Sequence, residues 1–300
     1  MTVILVHGSV ETSCRQHYLS ALAEAAYRGY QARHGGVLDV VERAVMALED
    51  DPLFNAGLGS VLNDDGEVEM DAAIMDGPTG RCGAVAAIRS VKNPVCVARK
   101  VMEETPHVLL AGEGAVAFAR RKGFGPFDPV IALQRAAWEQ ARAARARGEE
   151  CSFSAFTGLP VACDTVGCVA VLEGRPAAAS STGGSFLKLP GRVGDTPVIG
   201  AGIYATPFGA AVCTGLGEAC IELFTAAWTL NLIAQGVGAV EAARAAIRRI
   251  TCRGATAGIL AVTAAGEVAA VHNASSFPVI LLRDGRVIED FTPVRVGSGM

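Results

Sequence analysis

Between residues 148 and 164 the chain reads GEECSFSAFTGLPVACD and loses every periodicity that marks a helix or a strand. Apolar, strand-like runs lie on both sides of this break, and neither set pairs up comfortably by itself. Apolar strand faces have to be covered by another layer. The break also lacks the composition of an independent spacer. The two halves are therefore expected to share one body, a single domain over residues 1–300 with a linker at about 148–164.

The order of the elements narrows the class. VILVHG (3–8) reads as a strand, followed by a long helical region over about 12–34 and a helix in VLDVVERAVMALED (37–50) that stops before Pro52. The segment 51–77, with its Asn63-Asp-Asp-Gly66 turn, reads as strand, turn, strand. A strand at 82–91, helices near 95–104 and 111–122, and an Ala/Arg-rich helical arm at 128–147 complete the first half. Beyond the linker, strands are expected at 165–173, 175–182, 197–204 and 208–213, helices at 217–235 and 239–251, and strands at 256–263, 267–272 and 278–282. Sequential, hairpin-linked strands favour a layered α+β body with a two-sheet core over a βαβ parallel fold.

Composition excludes several roles. Apolar residues make up 51% and charged residues 19% of the chain, enough for a sizeable core. A net charge of −4, with no Lys/Arg run, argues against nucleic acid and against an anionic membrane surface. No apolar stretch is long enough to span a bilayer, and the run in MTVILVHGS is too short and lacks the basic start of a secretion signal. Nine cysteines without a C-x-x-C pair read as reduced thiols. A cytoplasmic location is the expectation.

The five histidines show no zinc spacing, and neither a phosphate loop nor a G-x-S-x-G elbow is present. What stands out is a density of small polar residues beside glycine: Thr165-Val-Gly167, Ser181-Thr-Gly-Gly184, Gly191-Arg-Val-Gly-Asp195 and Thr214-Gly-Leu-Gly-Glu218. Each alone marks a tight turn. Together they offer hydroxyls next to exposed N–H groups, with glycines that let a ligand approach the backbone.

These motifs carry a resemblance. PLFNAGLGSVLNDDGEVEMDAAIMDG, DTVGCVAV, SSTGG, GRVGDTPVIGAGIYA and CTGLGEACI are similar, in the same order, to the threonine N-terminal-nucleophile hydrolases of the plant-type (type III) asparaginase and isoaspartyl peptidase family. The similarity covers most of residues 40–220. It implies a four-layer αββα sandwich, the Ntn-hydrolase fold. It also implies autocleavage between Asp164 and Thr165 into an α chain (1–164) and a β chain (165–300).

The resemblance assigns roles. Thr165 becomes the nucleophile, its freed α-amine serving as base, since a threonine hydroxyl needs an adjacent one. Thr182 orients that hydroxyl, and Thr214 with the Gly215 N–H forms the oxyanion hole. Arg192 clamps the substrate α-carboxylate and Asp195 pairs with its α-ammonium. Asn55 supports the site structurally, and main-chain carbonyls of 52–57 hold a sodium ion in several members. No cofactor is required, and a homodimer of αβ units is implied. The implied substrates are asparagine and β-aspartyl dipeptides, cleaved to aspartate plus ammonia or an amino acid. Alternatives stay open: a glycosylasparaginase-like or threonine-aspartase-like hydrolase, or an unprocessed, catalytically silent relative that binds a small amino acid. One departure stands out. The family commonly has HGGAG after the first strand, where this chain has HGSVE.

Overall fold

Strand β1 (Thr2–His7) is buried at all six positions, so both of its faces need cover. In the computed structural model, which describes residues 1–10, 16–149, 151 and 165–297, that cover comes from two different layers. Ile4 and Val6 join a core beneath helices, whereas Val3 and Leu5 face a second sheet. The period-two alternation of a strand makes this division.

The first sheet contains β1, β2 (Met70–Asp76), β3 (Cys82–Ile88), β4 (Leu109–Ala111), β5 (Val166–Leu172), β6 (Arg175–Thr182), β11 (Val279–Arg283) and β12 (Arg286–Val287). Its order is β12-β11-β1-β5-β6-β2-β3-β4. All neighbours are antiparallel except β3 and β4. The second sheet has β7 (Ile203–Thr206), β8 (Gly209–Gly215), β9 (Ala257–Thr263), β10 (Val268–His272) and β13 (Val294–Arg295), in the order β13-β10-β9-β8-β7. Strands from both sides of residues 148–164 alternate in the first sheet, which is why neither half could close alone.

Helices α1 (Gln16–Gln31), α2 (Val37–Glu49) and α3 (Pro94–Glu104) pack on the first sheet, with α4 (Gly112–Arg121) beside β3. The helical arm is α5 (Ala132–Ala146). On the second sheet, α6 (Gly217–Leu223), α7 (Thr225–Ala234) and α8 (Ala239–Cys252) cover β8, β9 and β10. Val212, Leu260 and Val262 point into the seam between the sheets, and Cys213, Ile259 and Ala261 point to the helices. Among the described residues no helix is long and apolar enough to cross a membrane.

The β5–β6 hairpin closes through Glu173 and Gly174, both with positive φ (51° and 77°), the geometry that matches strand twist in a two-residue loop. Three expectations are corrected. Residues 51–69 form no strand, because polar side chains occupy the backbone groups a ladder would use: Asn63 Oδ1 accepts from the N–H groups of Asp65 and Glu67. The strand expected at 197–204 is mostly turns folded around the Asp195 carbonyl, which accepts from Val198 and Gly202; β7 begins only at Ile203. The helix expected at 217–235 breaks at Phe224, whose φ of 47° and ψ of 51° are left-handed. Most of the expected linker, residues 150 and 152–164, lies outside the described residues.

Glu49, fully buried at the end of α2, is the unusual acid of the helical side. Its Oε1 accepts from the Val95 N–H in the first turn of α3 at 3.0 Å, and Oε2 has no partner among the described residues. Burial pushes its carboxyl from 4.5 up to about 8, and the neighbouring Asp50 charge acts in the same direction. The folded chain thus keeps a proton that the unfolded chain releases, so this contribution to stability falls as pH rises from about 4.5 to about 8. Glu49→Gln cannot ionise. Denaturant titrations at several pH values should show wild type losing stability relative to Glu49→Gln across that window, and parallel curves would refute the assignment.

Candidate active site

The strand alternation that fills the seam with aliphatic side chains brings hydroxyls into it at one end. Thr165 immediately precedes β5 and Thr182 ends β6. Because Val166 pairs with Ser181, the two threonines meet at the open end of the hairpin. The Thr165 hydroxyl donates to Thr182 Oγ1 at 3.3 Å, and Thr182 Oγ1 also accepts from the Gly184 N–H at 2.9 Å. Both threonines are buried. Among the described residues no histidine or carboxylate lies within hydrogen-bond distance of the Thr165 hydroxyl. His7 sits nearby, with the ring nitrogen Nε2 packed against Gly167, but complete burial drops its pKa to about 3, so it stays neutral.

Asn55 fixes the S-T-G-G turn. Its carbonyl accepts from the Gly183 N–H at 2.8 Å and its side-chain amide donates to the Gly184 carbonyl at 2.7 Å. Its Oδ1 accepts from the Val61 N–H at 2.9 Å. Glycine is required at 183, where an added Cβ would lie 2.2 Å from Asn55 Oδ1.

β8 crosses over β5 and β6 and presents Thr214 to the seam, fully buried. Gly215 follows with φ +126°, and a Cβ there would come within 2.3 Å of the Thr256 carbonyl oxygen. Thr214 Oγ1 lies 3.0 Å from Ser9 Oγ, a residue of the departing HGSVE segment.

Charge enters on the Gly191–Asp195 turn. Two acids of the β2 region hold it: Glu69 Oε2 accepts from the Gly191 N–H at 2.8 Å and Asp71 Oδ2 from the Gly194 N–H at 3.2 Å. Lys188 donates to the Glu69 carbonyl at 2.7 Å. Arg192 presents its fork to Glu218, making two bonds of 2.9 Å. Asp195 is fully buried, with Oδ2 unpartnered among the described residues; burial raises its carboxyl from 3.8 to about 6, against the pull of Arg192. Gly217 leaves room between them, since a Cβ there would lie 3.0 Å from both Arg192 Nη2 and Asp195 Oδ1. A guanidinium and a carboxylate with one oxygen left unpartnered among the described residues, facing one gap, suit a ligand that carries a carboxylate and an ammonium on the same carbon.

No group of three or more His, Cys, Asp or Glu among the described residues is placed to hold a metal ion. The Pro52 and Phe54 carbonyls lie 2.8 and 3.0 Å from the point a Cβ on Gly59 would occupy, and Gly59 has φ +93°. These distances describe crowding around Gly59 and outline no ion-sized space.

The structure thus joins Thr165 to Thr182, Arg192 to Asp195 across Gly217, and Asn55 to the Gly183-Gly184 turn. Asp164 lies outside the described residues. Sequence reasoning passed over Glu218, although it ends the quoted T-G-L-G-E motif, and the buried pins Glu69, Asp71 and Lys188, whose only signal was charge inside an apolar pattern. Removing the Asn55 side chain would strand one buried N–H and one buried carbonyl. Asn55→Ala should lower the unfolding free energy by about 2–4 kcal/mol, read by denaturant titration.

A family model described as asparaginase matches residues 1–286. A plant-type L-asparaginase of Pyrococcus furiosus is 45% identical over 298 residues, covering 95% of this chain and 97% of the relative. An isoaspartyl peptidase of Salmonella typhimurium is 41% identical over 290 residues, covering 90% and 92%. An isoaspartyl peptidase/L-asparaginase of Bos taurus is 38% identical over 294 residues, covering 95% and 94%.

Proposed function

The chain belongs to the asparaginase family that its residues 1–286 match, and on that premise we propose that it is a self-activating threonine hydrolase that cleaves L-asparagine and β-aspartyl dipeptides. The carrying observation is the hydroxyl pair Thr165–Thr182 at the mouth of the seam, with Arg192 and Asp195 converging on Gly217 and Asp195 Oδ2 unpartnered among the described residues. The two substrates share an aspartyl head with a free α-carboxylate and α-ammonium, and differ only in the leaving group on the β-carbonyl. One pocket can serve both.

The mechanism follows from the groups in place. Cleavage of the Asp164–Thr165 bond gives an α chain of 1–164 and a β chain of 165–300 and frees the Thr165 α-amine. With a pKa of about 7.7–8.0, this amine can take the proton of its own hydroxyl, which has no side-chain base beside it among the described residues. Thr165 Oγ1 attacks the β-carbonyl, while the Thr214 hydroxyl and Gly215 N–H stabilise the resulting oxyanion. The amine returns the proton to the departing ammonia or amino acid. Water then hydrolyses the ester and releases aspartate. Thr182, held by the Asn55-pinned turn, fixes the direction of the Thr165 hydroxyl.

Arg192 binds the α-carboxylate and Asp195 the α-ammonium. The substrate carboxylate would compete with Glu218 for the guanidinium fork, so Glu218 keeps Arg192 aligned in its absence. The reading calls for no cofactor; the sodium ion that the resemblance implies would sit on main-chain carbonyls of 52–57 and would stiffen the loop that carries Asn55. The reading extends to one Ntn-hydrolase domain with four αββα layers, which the two-sided burial of both sheets supports, and, by family membership, to a homodimer of αβ units and a cytoplasmic location.

Intact mass after incubation at neutral pH tests the activation step. Wild type should yield two fragments meeting at 164/165, Thr165→Ala should stay whole, and only the former should release ammonia from asparagine. A whole, inactive wild-type chain would overturn the proposal in favour of a silent small-amino-acid binder. In the processed enzyme, Arg192→Lys loses the planar fork and should raise KM for asparagine about tenfold with a smaller change in kcat.

A further inference from the structure

Ser9 occupies an expensive conformation beside the hydroxyl end of the site. Its φ is +77°, a region that L side chains other than Asn and Asp seldom adopt, and its residue is only 1% exposed. Two contacts hold it there. Its N–H donates to His7 Nδ1 at 3.2 Å, and its Oγ lies 3.0 Å from Thr214 Oγ1. Neutral His7 keeps that acceptor available, because burial holds its pKa near about 3. The family resemblance places a glycine at this position, and glycine would adopt the same backbone without strain. The serine therefore adds a hydroxyl where the backbone alone would favour none.

We propose that Ser9 is a positioning residue for the oxyanion hole, its hydroxyl donating to Thr214 Oγ1 so that the Thr214 proton stays directed at the developing anion. The inference rests on the hydrolase reading above. A hydroxyl carries one proton and can point it only one way. Left to itself, Thr214 could turn its proton toward any nearby acceptor, including Ser9 Oγ. Negative charge on the substrate selects the opposite orientation, Ser9 to Thr214 to oxyanion, since only that order puts a proton on the anion. The other acceptor for Ser9 is the Val10 carbonyl at 3.4 Å, a longer contact to its own neighbour. Hydroxyls chained in one direction polarise one another, so the terminal donor is strengthened as well as aimed. The contact would act mainly when charge develops, and so on kcat.

Ser9→Gly and Ser9→Ala separate this role from a structural one. Both remove the hydroxyl; glycine relieves the backbone strain and alanine keeps it. Rates are taken per processed chain, with the processed fraction counted by intact mass. Both variants should lose about fivefold in kcat for asparagine, the worth of one ordinary hydrogen bond, with KM changed by less than about twofold. Their melting temperatures should differ, glycine above alanine, without the rates following. A Ser9→Gly enzyme with full kcat, or rates that track stability across the two variants, overturns the role of Ser9 alone. A wild-type protein that cleaves neither asparagine nor a β-aspartyl dipeptide overturns the hydrolase reading and this inference with it.

Discussion

Two sheets packed face to face, each with helices on its far side, leave almost no place for an unpaired polar group. Strand side chains alternate between a helix-facing core and the seam, and both are lined with Val, Ile, Leu and Ala. A hydroxyl in such a seam must find a partner there, because an unsatisfied buried polar group costs about 1–3 kcal/mol. That constraint draws Thr165 to Thr182 and Thr214 to Ser9. Among the described residues neither a histidine nor a carboxylate shares a hydrogen bond with the Thr165 hydroxyl.

The charged end of the site depends on a second rule, that buried charges must be held by donors and by each other. Glu69 and Asp71 spend carboxylate oxygens on the backbone of the Gly191–Asp195 turn, and Lys188 reaches back to the Glu69 carbonyl. The turn so fixed carries a guanidinium paired with Glu218 and a carboxylate left with one unpartnered oxygen. Burial raises the Asp195 carboxyl, and its Oδ2 has no partner among the described residues. Asn55 performs the same service for the hydroxyl end, from a segment that forgoes strand structure to do so.

Much of this was legible without coordinates. The helices α1, α2, α3 and α8 and the hairpin β5–β6 follow from periodicity and a Glu-Gly turn. The clustered Thr-Gly motifs drew attention to the turns that carry Thr165, Thr182, Arg192, Asp195 and Thr214, whose roles the family resemblance implies. Local reading failed where side chains captured the backbone, as at Asn63 and around the Asp195 carbonyl, and where a left-handed Phe224 split a helical run that looks continuous. Glu218 and Ser9 went unread because their importance lies in partners 26 and 205 residues away.

The sequence by itself determined the class, a two-sheet α+β body, because strand and turn preferences act over a few neighbours, and it marked the clustered Thr-Gly turns as a candidate site. Tertiary structure alone decided which of those residues meet. The order β11-β1-β5-β6-β2 interleaves strands from the two halves, and the seam face of each was set by one shared register. A slip of one residue would turn Thr182 to the helices and Ser181 to the seam. Register is a property of the paired sheet, and no single strand encodes it.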